Sequence, residues 1–193
     1  MVNDFSARLR LGPAEAHFRA RRLRLVITDC DGVLTDGLVY YGALGEKVRG
    51  FSVRDGMGVE RLREAGVASA ILSGEDCDSI RRRGQKLGLA HVCLGIRDKA
   101  AELPRLLEAA GVTADETAYI GDDVNDLDVM RRLADCGLTG APADAFPPVA
   151  DAVHYRCRSR GGGGAFREFA EWILDTRRVI RTEWRRESWQ ERW

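Results

Sequence analysis

Two carboxylates one residue apart, Asp29 and Asp31, close the apolar run Leu25-Val26-Ile27-Thr28 and are followed at once by Gly32. Along a strand, residues two apart point to the same side, and glycine lets the chain leave sharply. Both acids therefore converge above one strand end. Carboxylates that close repel each other unless a cation lies between them or one is protonated. The economical chemistry is a Mg²⁺ site in which one Asp is a nucleophile and the other a general acid/base. Taken alone, Asp-x-Asp-Gly also fits a solvated acidic turn.

Three further stations narrow that choice. Val67-Ala68-Ser69-Ala70-Ile71-Leu72 ends in Ser73-Gly74; Lys99 follows Asp98; and Ala118-Tyr119-Ile120 leads into Gly121-Asp122-Asp123-Val124-Asn125-Asp126. Four such stations in this order resemble the haloacid dehalogenase (HAD) superfamily of phosphohydrolases, over residues 22–174. In that frame Asp29 attacks phosphorus to give an aspartyl-phosphate, while Asp31 protonates the leaving oxygen and later deprotonates water. Mg²⁺ is expected on the Asp29 side chain, the Asp31 backbone carbonyl and the Asp122 carboxylate. Ser73 would hydrogen-bond a phosphoryl oxygen, and Lys99 would place its charge against both the phosphate and Asp29. Other readings remain: Ser73 as a helix N-cap, Lys99 as a surface lysine, and Asp123 and Asp126 as first-turn acids favoured by the helix dipole.

The elements that must position these residues follow from periodicity and punctuation. Strands are expected at 23–28, 68–72, 91–93, 117–120, 136–139 and 152–153. Helices are expected at 56–65, 77–87, 99–110, 125–133, 145–149 and 164–175. Their alternation predicts an α/β, doubly wound, Rossmann-like sheet with its ligand at the carboxyl ends of the strands. The chain has 193 residues, enough for one domain with a proper core. Lysine plus arginine equals aspartate plus glutamate, 30 against 30, so the charge balance suggests no nucleic-acid partner. No stretch is long enough for a membrane span, and no signal core opens the chain. The five cysteines, Cys30, Cys77, Cys93, Cys136 and Cys157, read as reduced thiols of a cytoplasmic protein. His17, His91 and His154 are too scattered for a histidine metal site.

Spacing carries a second message. Asp29 and Ser73 stand 44 residues apart and Ser73 and Lys99 26 apart, which leaves no room for a cap domain. A phosphoryl-transfer site must still exclude water. Residues 38–53 contain Leu38-Val39-Tyr40-Tyr41-Gly42-Ala43-Leu44-Gly45, the first arm and turn of a β-hairpin with apolar residues on both arms, hard for a monomer to bury. The hairpin is expected to pair with neighbours in a homo-oligomer and help roof an adjacent site, or else to lie on its own sheet edge.

Within the superfamily the chain resembles the capless sugar-acid phosphatases, a group that includes enzymes acting on 3-deoxy-D-manno-octulosonate 8-phosphate (KDO 8-phosphate). The resemblance rests on Asp36-Gly37, on Phe51-x-Val53-Arg54-Asp55-Gly56-x-Gly58, on Asp98-Lys99, on Ala118 to Asp123, and on Gly163-Gly164-Ala165-Phe166-Arg167-Glu168. It implies a Mg²⁺-dependent homotetramer acting on a phosphorylated sugar acid, with Arg54 among the substrate contacts. One departure bears on substrate. Where the KDO 8-phosphate enzymes generally carry Arg after Ser/Thr-Gly, this chain has Glu75, followed by Arg83 and Lys86. That pattern is similar to phosphatases of 2-keto-3-deoxy-D-glycero-D-galacto-nononate 9-phosphate (KDN 9-phosphate), and makes the nine-carbon acid the first expectation and KDO 8-phosphate the alternative. Glu75 beside Ser73 would repel a phosphate unless paired. Arg83, eight residues on, would pair with it or bind the sugar acid, with Lys86 one turn beyond on the same face for the sugar carboxylate. Against this, Val53-Arg54-Asp55-Gly56 looks more like the octulosonate enzymes.

The flanks say less. Residues 1–21 read as a mobile or loosely helical extension, and 161–164 as a flexible loop, which the resemblance implies could close over the site. From 175 to 193 the chain is rich in Arg and Trp. Trp184, Trp189 and Trp193 with interspersed Glu183, Glu187 and Glu191 suggest an amphipathic helix docking on a neighbour rather than stacking on nucleic acid. A reading of another class, a noncatalytic tetramerisation module, would be favoured by loss of Asp29, Asp31 or Lys99; all three are present.

Overall fold

The computed structural model describes residues 11–178. Its centre is a six-stranded, wholly parallel sheet in the order β5-β4-β1-β6-β7-β8. The strands are β1 (Leu25–Thr28), β4 (Ala68–Leu72), β5 (His91–Cys93), β6 (Thr117–Ile120), β7 (Leu138–Ala141) and β8 (Tyr155–Arg156). β1 lies in the middle, Leu25 to Thr28 registering with Ala68 to Ile71 on one side and Thr117 to Ile120 on the other. Its four residues are all buried, as expected of a parallel strand covered on both faces.

Alternation along β1 divides the core. Val26 faces a layer that holds Ala20, Leu62, Ile80, Phe166, Phe169 and Ile173, supplied by α1 (Pro13–Arg22), α2 (Val53–Glu64), α3 (Asp78–Lys86) and α7 (Ala165–Arg178). Leu25 and Ile27 face Leu103, Leu106, Tyr119, Val129, Met130 and Val149, from β6 and from α4 (Lys99–Ala110), α5 (Leu127–Leu133) and α6 (Pro147–Ala150). This doubly wound arrangement brings the carboxyl ends of β1, β4 and β6 side by side. No cap domain interrupts it. A hairpin, α2 and β4 fill the interval from Asp29 to Ser73, and α3 and β5 fill that from Ser73 to Lys99.

Several boundaries differ from the sequence expectation. Cys136 and Gly137 donate backbone N–H groups to the Leu133 carbonyl and so form the exit of α5, which starts β7 two residues late. Ala152 likewise closes a turn on Val149, and β8 begins only at Tyr155. The N-terminal extension is corrected more fundamentally: residues 13–22 form a packed helix in which Ala16 and Ala20 are buried and His17 Nδ1 bonds the Thr176 carbonyl at 2.8 Å. Small alanines hid this core-facing stripe. The readings made for residues 1–10 and for the tail with Trp184, Trp189 and Trp193 lie outside the described residues.

The hairpin is present as β2 (Tyr40–Gly42) and β3 (Gly45–Val48), an antiparallel pair that does not join the main sheet. Leu38, Tyr40, Tyr41, Leu44 and Val48 are exposed, Leu44 by 89%. Among the described residues no helix is long and apolar enough to cross a membrane.

Candidate active site

β1 delivers Asp29 to the sheet edge, where it is only 5% exposed. Its Oδ1 accepts the Cys30 backbone N–H at 2.7 Å and lies 2.9 Å from Lys99 Nζ. Lys99, the first residue of α4, is itself buried, and its ammonium also meets Asp126 Oδ1 at 2.7 Å. The surface reading of Lys99 is thereby excluded. Burial works against its charge, but Asp29 and Asp126 outweigh that and hold its pKa above the ordinary lysine value.

Asp126 is a site residue that the sequence left undecided. Its Oδ1 also accepts the Tyr119 hydroxyl at 2.5 Å, and its Oδ2 accepts the backbone N–H groups of Asp122 and Asp123 at 2.9 and 3.2 Å. Each oxygen is committed to two donors, so Asp126 orients Lys99 and the Asp122 loop. Asp123 is exposed and is the N-cap of the short turn Val124–Asp126 rather than a residue of its first turn.

Asp122 completes the cluster. Carboxylate oxygens of Asp29, Asp122 and Asp126 lie within 4.8 Å of one another. Burial, then the charges of Asp29 and Asp126, push Asp122 up to about 8. Burial and the Asp126 charge push Asp29 up to about 7 against the pull of Lys99. Asp122 Oδ1 is buried without a hydrogen-bond partner. An orphaned oxygen in a set of hard donors that repel one another fits a divalent cation, and Asp29 and Asp122 are the carboxylates with capacity to hold it. Gly32 makes room for this: with φ at +85°, a Cβ there would stand 2.0 Å from Asp122 Oδ2.

Asp31 is half-buried on the same loop. Its Oδ1 accepts Thr35 Oγ1 at 3.0 Å and Arg49 Nε at 2.8 Å. Ser73, 1% exposed at the end of β4, accepts the Glu75 backbone N–H at 3.2 Å. It caps no helix, because α3 begins at Asp78 with Cys77 as its N-cap.

That late start corrects the pairing expected for Glu75. Residues eight apart share a face only when both are helical, and Glu75 lies in the preceding loop. Glu75 Oε2 is instead 3.5 Å from Arg49 Nη2. Arg83 donates to the Ser52 carbonyl at 2.9 Å and lies over the Phe51 ring, 5.6 Å from its centroid. Lys86 is exposed at the end of α3. Arg54 is exposed, and its side chain runs beside Gly164. Arg49, Thr35 and Tyr119 were missed as site residues, since each acts on a partner remote in sequence or hidden by the fold.

The glycine segment 161–164 is docked rather than loose. Gly162 donates to the Val33 carbonyl at 2.9 Å and Gly161 to Asp144 Oδ1 at 3.0 Å. A Cβ at Gly161 would stand 2.0 Å from the Gly32 carbonyl oxygen. Glu168 secures the segment's near end by accepting the backbone N–H groups of Arg158 and Ser159, each at 2.8 Å. Asp55 accepts the Arg167 backbone N–H at 2.9 Å beyond it.

A nucleophile-type carboxylate backed by a buried lysine, a second acid on the same loop and a cation-competent acidic cluster at a parallel sheet edge define a capless phosphohydrolase. Comparison with known proteins agrees. No family model matches the chain. The 3-deoxy-D-manno-octulosonate 8-phosphate phosphatase of Haemophilus influenzae is 45% identical over 156 residues, 81% of this chain and 85% of that protein. Its cobalt-bound structure superposes with a TM-score of 0.78 at 44% identity, covering 82% of this chain and 91% of that one. The Moraxella catarrhalis enzyme, solved with magnesium, phosphate and KDO, gives a TM-score of 0.78 at 32% identity, covering 84% and 91%. The chain belongs to the 3-deoxy-D-manno-octulosonate 8-phosphate phosphatase family of the HAD superfamily and is a phosphoric monoester hydrolase.

Proposed function

We propose that this enzyme is a Mg²⁺-dependent phosphatase of KDO 8-phosphate working through an aspartyl-phosphate on Asp29. The observation that carries the chemistry is the Lys99 ammonium between Asp29 and Asp126 with the orphaned Asp122 oxygen alongside. The substrate rests on the relatives, named for that ester at up to 45% identity, and on the solved relative that holds magnesium, phosphate and KDO together.

The Asp29 and Asp122 carboxylates and the Asp31 backbone carbonyl would hold Mg²⁺, which when bound neutralises charge on the transferring phosphoryl group. Cys30 N–H and Lys99 both engage Asp29 Oδ1, which leaves Oδ2 to attack phosphorus in line with the leaving oxygen. Ser73 Oγ and Lys99 Nζ hydrogen-bond the phosphoryl oxygens as charge builds. Asp31 donates a proton to the sugar oxygen as the P–O bond breaks. It then takes a proton from the water that attacks the aspartyl-phosphate.

Arg54, Arg83 and Lys86 are the cationic candidates for the sugar acid, and the exposed hairpin face supports a homo-oligomer, in our reading a tetramer, that brings such residues to a neighbouring site. A second substrate, KDN 9-phosphate, rests on the resemblance at Glu75, Arg83 and Lys86 alone. Phosphate release from both esters, measured side by side with Mg²⁺ and with Asp29→Asn as blank, tests the assignment. A higher kcat/KM for KDO 8-phosphate supports it, a higher value for KDN 9-phosphate replaces the substrate, and release from neither rejects the function.

A further inference from the structure

Asp31 is held by one oxygen only. Thr35 Oγ1 and Arg49 Nε both donate to Oδ1, at 3.0 and 2.8 Å, while Oδ2 is buried and has no hydrogen-bond partner. Arg49 follows the last residue of β3 and its side chain has no exposure to solvent. Its Nη1 meets Cys77 Sγ at 2.8 Å and its Nη2 meets Glu75 Oε2 at 3.5 Å. Burying a guanidinium is costly unless its planar fork is used, and here the fork joins two loops of the site, the one after β1 and the one between β4 and α3.

We propose that Arg49 is a positioning residue for phosphoryl transfer: with Thr35 it clamps Asp31 through Oδ1, so that Oδ2 is the oxygen that gives and takes the proton. This rests on Asp31 being the acid/base. In the first half-reaction a bond forms between an Asp29 oxygen and phosphorus as the ester P–O bond breaks. Its electron pair goes to the sugar oxygen, which takes the proton from Asp31 Oδ2. The carboxylate left behind faces the guanidinium of Arg49. In the second half, water oxygen bonds phosphorus, its proton passes to Oδ2, and the pair of the breaking P–O bond returns to Asp29. A carboxyl free to rotate would present either oxygen, and often neither, to the leaving group.

The leaving group supplies a readout that a purely structural role would not move. A sugar alkoxide needs a proton as it departs, whereas p-nitrophenolate does not. In single-turnover measurements, Arg49→Ala is expected to slow formation of the aspartyl-phosphate from KDO 8-phosphate on the order of 100-fold, the usual scale of a lost general acid, with KM little changed and formation from p-nitrophenyl phosphate much less affected. Arg49→Lys should fall between, and added guanidinium should restore part of the alanine variant's rate. Asp31→Asn must show the same selectivity for leaving group. If it does, while both Arg49 variants lose the two substrates equally or lose KM alone, Arg49 is a packing or substrate-binding residue and the inference is overturned. If Asp31→Asn shows no such selectivity, the acid/base reading fails first and the inference with it.

Discussion

Lys99 is the residue on which the charge balance of the site turns. Its ammonium is buried between two buried carboxylates, so removing it leaves both uncompensated. Breaking such a cluster from one side costs about 3–5 kcal/mol. Lys99→Met should therefore lose about that much stability in urea as well as its activity. Raising Asp29 and Asp122 to about 7 and 8 has a further consequence. A carboxyl whose folded pKa lies above its unfolded value near 3.8 holds a proton in the folded state that the unfolded chain releases. Stability of the metal-free protein then falls as pH rises between those values. Thermal melts in EDTA should show Tm declining from pH 5 to pH 8, and Mg²⁺ should raise Tm most at the alkaline end. A flat profile in EDTA would contradict the burial of these acids.

The nucleophile loop after β1 and the glycine segment before α7 behave as one element, because the Gly161 backbone lies where no side chain fits against Gly32. Gly161→Ala should push the loop that carries Asp31 out of place and lower kcat at least tenfold, of the order expected when a catalytic group is displaced by about 1 Å. Circular dichroism should remain unchanged. Much at this scale was legible in sequence. The strands at 68–72, 91–93 and 117–120 and the helix at 99–110 have the bounds expected from periodicity and punctuation. Apolar runs ended in Asp29, Ser73, Lys99 and Asp122, so the stations of the site could be read with them. What was not legible depends on the fold. Arg49 reaches Asp31 across 18 residues, Asp126 meets Lys99 across 27, and neither partner announces itself locally. Of the two roles expected of Arg83, pairing with Glu75 rests on helical arithmetic that fails because α3 starts three residues after Glu75. The packed α1 was hidden by alanines, whose burial contributes little to a hydrophobic pattern.

For the whole molecule, the parallel sheet supplies a rigid edge, and in the function proposed above the hairpin takes over the covering that a cap domain would give. Tyr41 and Leu44 project apolar surface that nothing among the described residues covers, a surface that favours self-association. Leu44→Asp should shift the protein to a smaller species in light scattering and lower its activity, whereas an unchanged mass would remove the hairpin from the assembly. The central claim is covalent catalysis by Asp29 in a Mg²⁺-dependent phosphatase. Rapid acid quench during turnover of radiolabelled KDO 8-phosphate tests it most directly. Label is expected on the protein in a peptide containing Asp29, and none in Asp29→Asn or without Mg²⁺; Asp31→Ala given labelled p-nitrophenyl phosphate, whose leaving group needs no acid while the attacking water lacks a base, should hold more. Turnover with no label on the wild-type protein or on Asp31→Ala would mean that water attacks phosphorus directly and would contradict the account.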